Sequence, residues 1–295
     1  MAQALIEPAP AKINLALHVT GRRDNGYHDL HGLTVFTELS DELQARPAPA
    51  DRLEVRGPFA AGLGAPGSNL VWRAVEAFRR RWPGAVSGGV EFTLDKMLPV
   101  ASGIGGGSAD AAAALRAMSR LAKSPADPSA LMTLAAGLGA DVPMCLLSQP
   151  CEISGTGEIL RPLKKLPACH LVLVNPLLPV VTADVFRRLE HRNNSRMPPL
   201  PDGFEHLSVF SMWLADTRND LEEPALAIAP VIGVLRKAVG GTQGCVLSRM
   251  SGSGATVFGL YGSGTQAMQA ARDLGRAFPG FWIAATPLLG GSESQ

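Results

Sequence analysis

Four glycines lie in the run Leu98-Pro99-Val100-Ala101-Ser102-Gly103-Ile104-Gly105-Gly106-Gly107-Ser108-Ala109-Asp110, directly before an Ala-rich segment. Glycine lets backbone N–H groups converge on a ligand with no Cβ in the way. A helix N-terminus adds unpaired donors and a partial positive charge. Together they suit a phosphate group. Two common phosphate-loop patterns do not fit. The chain has no Gly-Lys pair, which excludes G-K-[ST], and Ser108 occupies the third glycine position of G-x-G-x-x-G counted from Gly103. A tight strand-to-helix turn with no ligand is the alternative reading.

Three further points carry groups that phosphoryl chemistry could use. Asp141 in Gly137-Leu138-Gly139-Ala140-Asp141-Val142-Pro143 stands just past a helical segment and before a Pro-constrained extended one. It is either a proton acceptor or a capping residue. Lys12 shares the polar side of an alternating segment with Asn14, as a site cation or as a solvated strand lysine. Met250-Ser251-Gly252-Ser253-Gly254-Ala255-Thr256 is a second glycine-rich turn before a strand, either a phosphate-side loop or a plain β-turn. Tyr27 and His28 form a pair in a polar turn.

The elements that must position these groups are legible from periodicity. From Lys12 to Val19, Ile13, Leu15, Leu17 and Val19 alternate with Lys12, Asn14, Ala16 and His18, which predicts a half-buried strand. Gly21 to His31 is a polar turn with Asn25-Gly26 as a hairpin signal. Strands are expected at Val35–Leu43, Leu53–Val55 and Val90–Leu94. A helix over Asn69–Trp82 presents Val71, Ala74, Val75, Phe78 and Trp82 on one stripe, with Ser68 or Asn69 as its cap. After the glycines, Ala111, Ala114, Leu115, Met118 and Leu121 recur at helical spacing, and Asp127-Pro128 opens another helix. Around 150–165 the chain turns polar and Gly/Pro-rich, which marks a boundary. Beyond it come a strand at His170–Asn175, a helix capped by Thr182, a Pro-rich surface loop over 195–203, and a closing strand–helix–strand (Thr256–Tyr261, Gln266–Phe278, Phe281–Ala285).

Composition narrows the function. With 27 Lys+Arg against 26 Asp+Glu and 16 aromatic side chains in 295 residues, the chain has neither the basic excess nor the stacking platform of a general nucleic-acid binder. An anionic ligand must therefore be met locally. The four cysteines form no C-x-x-C pair, and the six histidines show no zinc spacing, so free thiols in a reducing compartment are expected. No apolar run reaches the ~20 residues of a membrane span. A cytoplasmic protein with no membrane partner is the expectation.

In order and wording, these segments resemble the GHMP kinases. The matches are Pro10-Ala-Lys12-Ile-Asn14-Leu, Gly21-Arg-Arg-Asp-Asn-Gly26-Tyr27-His28, Asn69-Leu, the glycine loop to Ala112, Gly139-Ala-Asp141-Val-Pro143, Gly155-Thr-Gly157-Glu158, Asn219-Asp220-Leu221 and Ser251-Gly-Ser-Gly-Ala-Thr256. They run from residue 10 to about 260. The Lys-Ile-Asn-Leu and Gly-Tyr-His pieces are similar to the branch that acts on a cytidylated methylerythritol. Val100-Ala101-Ser102 and Ile104 stand where Met-Gly-Gly and Leu are common, Ala109 replaces a second Ser, and the 195–205 stretch is unusually Pro-rich.

The resemblance implies a two-domain α+β fold. An N-terminal domain, 1–160, would be of the left-handed βαβ type shared with a ribosomal-protein domain, and a C-terminal domain, 161–295, would be ferredoxin-like. It implies ATP and Mg²⁺, with the phosphates on Gly103, Gly105, Gly106, Gly107 and Ser108. Asn69, Lys96 and Pro99 would complete the ATP site, Asn69 and Lys96 at the adenine end. Asp141 would be the general base and Lys12 the cation offsetting developing charge. Asn14, Tyr27, His28 and Thr182 would contact the small-molecule substrate. No carboxylate cage for Mg²⁺ is evident, so phosphate and water would supply most of its ligands. A monomer or homodimer is expected. Another small-alcohol kinase of the same family, or a nucleotide-binding module without turnover, would share many of these features.

Overall fold

The computed structural model describes residues 4–63 and 69–292. The proposed helix cap Ser68 lies outside the described residues. By packing, the chain forms two units that are discontinuous in sequence. The first takes 1–11, 40–100 and 105–148; the second takes 12–39, 101–104 and 149–295. This division differs from a single cut at residue 160, because two long strands, β1 (Leu5–Arg22) and β2 (His28–Ala48), each run through both units.

In the first unit, the C-terminal half of β2 pairs antiparallel with β4 (Gly89–Asp95), which pairs parallel with β3 (Arg52–Arg56). Four helices complete it: α1 (Leu70–Arg81), α2 (Gly106–Leu121), α3 (Pro128–Leu138) and α4 (Val142–Leu147). Asn69 caps α1 by accepting the Val71 N–H at 2.8 Å, and Asp127 caps α3 by accepting from Ala130 at 2.9 Å. Both caps answer N–H groups the first turn cannot pair internally. The apolar stripe of α1 (Val71, Ala74, Val75 and Phe78) is buried, as is the alanine run of α2. Small side chains there let α1, α2 and α4 pack closely.

In the second unit, the N-terminal half of β2 pairs with β5 (Cys151–Gly155), and β5 with β6 (Ile159–Pro162). A four-stranded antiparallel sheet follows the order β11-β8-β10-β9, from β8 (His170–Asn175), β9 (Cys245–Met250), β10 (Val257–Tyr261) and β11 (Trp282–Pro287). Helices α8 (Val231–Gly240) and α9 (Gly264–Ala277) pack on it. The short β7 (Leu166–Pro167) pairs with β12 (Gly291–Ser292). Helices α5 (Thr182–Arg187), α6 (Leu207–Ala215) and α7 (Glu222–Ile228) complete the unit.

Two expectations are corrected here. The strand around Lys12 is not half-buried. Residues 11–19 are buried on both faces, and its polar positions are matched by hydrogen bonds. His18 Nε2 accepts the Arg218 N–H at 3.0 Å, and Arg249 donates to the Leu15 carbonyl at 2.6 Å. The segment after Asp141 is helical, not extended. Pro143 falls in the first turn of α4, where the missing N–H would have had no partner anyway. The Pro-rich 195–203 segment has no regular structure but is anchored. Met197 and Leu200 are buried, Met197 N–H donates to His31 Nδ1 at 3.0 Å, and Arg161 and Trp213 donate to the Leu200 and Pro199 carbonyls.

Candidate active site

The glycine loop ends in a helix whose N-terminus has no side-chain cap among the described residues. Gly105, the cap of α2, has φ +68°, in the left-handed region that suits glycine, and offers no side chain to the first-turn N–H groups. No acidic residue occupies that turn. Gly107 is exposed and Ser108 partly so, while Gly106 is buried. The outward donors of a 16-residue helix are therefore presented without a competing carboxylate, an arrangement that attracts a phosphate. Among the described residues, a Cβ on Gly107 would meet only Leu70 Cδ1 at 3.5 Å, ordinary contact.

Gly106 is glycine for a different reason. Its missing Cβ would stand 3.0 Å from Lys96 Nζ. The Lys96 side chain is 1% exposed. Its ammonium donates to Asp41 Oδ2 and, at 2.7 Å, to Asp110 Oδ2 in α2. Asp41 Oδ1 also accepts the backbone N–H of Met97 (2.6 Å) and of Leu98 (2.8 Å). Burial pushes the Asp110 carboxyl up to about 7 against the pull of Lys96, and its Oδ1 has no partner among the described residues. Burial alone would lower the Lys96 ammonium, but Asp110 and Asp41 hold it above the ordinary lysine range. The structure thus turns Lys96 inward, which does not match a side-chain contact at the adenine end. Pro99 follows this cluster and is buried. Asn69 commits one lone pair of its Oδ1 to the cap of α1.

In the second unit the structure brings Lys12 and Asn14 together. Lys12 Nζ donates to Asn14 Oδ1 at 2.9 Å, and Asn14 Nδ2 donates to Thr34 Oγ1 at 2.9 Å. The Asn14 N–H donates to Ser251 Oγ, which in turn donates to the Gly103 carbonyl at 3.0 Å. The second glycine turn therefore braces the strand that carries Lys12. Gly103, with φ +78°, is required by closeness: a Cβ there would lie 2.6 Å from both the Ser251 and Gly254 carbonyl oxygens.

His28, at the start of β2, stacks on Phe186 of α5 with ring centroids 4.9 Å apart and planes 22° from parallel. Its Nε2 is buried and lacks a partner among the described residues. Burial, reinforced by Arg22 and Arg192, lowers its basicity, so the ring favours its neutral form. Thr182, at the other end of α5, shares a hydrogen bond with Ser253 at 2.8 Å. Tyr27 is 63% exposed, its N–H donating to Asn25 Oδ1. Asp141 caps α4 with no side-chain hydrogen bond to that helix, and is half-buried. Asp41, Asp110 and Phe186 were not singled out from sequence. Only the position of Asp110 in the helix after the glycines hinted at its role.

Among known proteins, the GHMP kinases N terminal domain matches residues 69–149 and the GHMP kinases C terminal domain matches 209–280. The 4-diphosphocytidyl-2-C-methyl-D-erythritol kinase of Chelativorans sp. (strain BNC1) is 46% identical over 94% of each chain. That of Bradyrhizobium diazoefficiens is 44% identical over 97% of this chain and 98% of its own. A crystal structure of 4-(cytidine 5'-diphospho)-2C-methyl-D-erythritol kinase superposes with a TM-score of 0.79 at 35% identity, covering 98% of this chain and all of that one. A homoserine kinase from Cytophaga hutchinsonii, at 18% identity and TM-score 0.64, shares the fold. The chain belongs to the GHMP kinases, and within them to the family of 4-diphosphocytidyl-2-C-methyl-D-erythritol kinases.

Proposed function

We propose that the chain transfers the γ-phosphoryl group of ATP to the tertiary C2 hydroxyl of 4-diphosphocytidyl-2-C-methyl-D-erythritol, in the cytoplasm where ATP is supplied. The new bond joins the C2 oxygen to Pγ, the bond from Pγ to the β,γ-bridging oxygen breaks, ADP leaves, and the hydroxyl proton goes to Asp141. Such a transfer needs alignment and charge neutralisation more than covalent help. The N–H groups of Gly106, Gly107 and Ser108 suit the phosphates. Asp141 acts as general base, and Lys12, oriented by Asn14, offsets charge that develops on the transferring group. A tertiary alcohol is a crowded nucleophile, so positioning carries much of the rate.

Among the described residues, no group of three or more His, Cys, Asp or Glu side chains could hold a metal ion. Mg²⁺ enters with the nucleotide as part of the MgATP substrate, phosphate and water supplying most of its ligands.

One observation supports the choice of a cytidylated acceptor: His28 stacked on Phe186, with a buried Nε2 that has no partner among the described residues. A neutral imidazole supplies one donor and one acceptor at a pyrimidine edge, and the exposed Tyr27 ring can stack on the base. The test offers MgATP with the cytidylated methylerythritol, its uridylated analogue, homoserine and mevalonate. Turnover of the first, with strong rejection of the second, is expected, because uracil would leave a buried group unpaired. Equal kcat/KM for the two nucleotides would overturn the pyrimidine reading, and preference for homoserine or mevalonate would move the activity within the family.

A further inference from the structure

We propose that Lys96, through Asp110 and Asp41, is a positioning residue that clamps both ends of the phosphate loop. The inference rests on the reading of α2's N-terminus as the phosphate site.

Two segments bracket the loop. Before it, the N–H groups of Met97 and Leu98 are held by Asp41 Oδ1. After it, α2 is held through Asp110 Oδ2, five residues into the helix. Lys96 Nζ joins the two carboxylates, so a single ammonium ties the entry of the loop to its exit. Gly106 lies against that ammonium, and any side chain there would push on it. All three charged groups are buried, so neither exposed solvent nor salt weakens the tie as it would a surface pair.

The cluster does more than fill space. A buried Lys with two carboxylates is a poor stabiliser compared with an apolar packing of the same volume. What it supplies is geometry. Seven residues from Pro99 to Gly105 run between the tied segments, and three of them (Ala101, Gly103 and Gly105) have positive φ. Such a loop has many alternative conformations. Fixing its ends removes much of the ordering cost that phosphate binding would otherwise carry.

The cut is made at Asp110→Ala, which severs α2 from the clamp and leaves Lys96 and Asp41 as a balanced pair. The expected result is an ATP KM raised about tenfold or more, with the KM for the cytidylated acceptor within about twofold of wild type. Asp110→Asn, whose carbonyl can still accept from Lys96, should restore ATP KM to within about threefold. A general loss of stability would raise both KM values together, or neither. If Asp110→Ala does not melt cooperatively, the double variant Asp41→Asn/Lys96→Met replaces it. That variant removes one charge of each sign, and the carbonyl of the introduced asparagine can still accept from Met97 and Leu98. It should raise ATP KM in the same selective way. A cooperatively folding Asp110→Ala or double variant with wild-type ATP KM, or with both KM values raised in parallel, overturns the clamp. Gly107→Val separates the two readings. If it raises ATP KM while Asp110→Ala does not, the phosphate site stands and the clamp falls; if neither variant moves ATP KM, the phosphate reading fails first.

Discussion

Two glycine-rich turns in this chain look alike as sequence and serve different ends. The turn at 103–107 runs into a 16-residue helix whose first N–H groups have no side-chain cap. The turn at 251–256 runs into a strand, and every residue in it is buried. Its groups are paired within its own unit: Ser251 N–H to the Thr256 carbonyl, Gly254 N–H to the Ser251 carbonyl, and the Met250 and Gly252 carbonyls to the Asn219 amide. In the first turn, Gly105 as the helix cap leaves the first-turn donors without a side-chain partner. Glycine in the second lets backbone lie against backbone. Glycine content therefore does not mark a phosphate site; the element that follows, and whether its N–H groups are already paired, does.

The largest expected effect tests what neither turn supplies. Asp141→Asn should lower kcat by ~10²-fold or more, the usual range for removing a general base, while ATP affinity stays within about threefold. Near wild-type kcat would remove Asp141 from the chemistry and leave the first turn as a binding element only.

Next come the glycines themselves. Gly103→Ala places a Cβ 2.6 Å from two carbonyl oxygens at a positive φ, so a stability loss of about 2–4 kcal/mol is expected in denaturant melts. Gly107→Val puts its Cβ in ordinary contact with Leu70 among the described residues, and should change stability by less than ~1 kcal/mol while raising ATP KM about tenfold. Gly103 packs the first turn against the second while Gly107 faces the helix N-terminus, and reversed outcomes for this pair would overturn that division within the first turn. Gly106→Val is a poor probe of phosphate binding, because it would also press on Lys96.

The smallest effect is a pH dependence on the second turn's side of the comparison. His18 is held below its ordinary value of 6.5, chiefly by burial. Its Nδ1 bonds the Ser195 carbonyl and its Nε2 accepts the Arg218 N–H, next to the Asn219 that secures the second turn. The unfolded chain takes up the proton first, so this contribution to stability is present above pH 6.5 and is lost as pH falls from there through the lower folded pKa. His18→Gln should flatten the fall in Tm between pH 7 and pH 5. An unchanged slope would show that His18 does not titrate in that range.

Much of the fold was legible because it depends on local periodicity. The stripe of α1, the alanine face of α2, the Asp127-Pro128 start of α3 and the closing β10–α9–β11 all follow from spacing alone. What was not legible depends on distant partners. Nothing near Lys12 announces that the Arg218 N–H will bond His18 and the Arg249 guanidinium the Leu15 carbonyl. Pro143 is as consistent with an extended segment as with a helix start. The inward turn of Lys96 depends on Asp41, 55 residues earlier. The single boundary at 160 did not anticipate strands that pass from one unit to the other. The glycine turn, the Lys12–Asn14 pair and His28 stand out as candidates by residue type, whereas Phe186 does not, since it becomes a partner of His28 only through tertiary packing.

Phosphorus NMR of the product locates the oxygen that receives the phosphoryl group. With MgATP and the cytidylated methylerythritol, a new phosphomonoester on the tertiary C2 carbon, an intact diphosphate bridge and one ADP per ester formed are expected. Phosphate on a primary or secondary hydroxyl, or ADP released with no new ester, would contradict it.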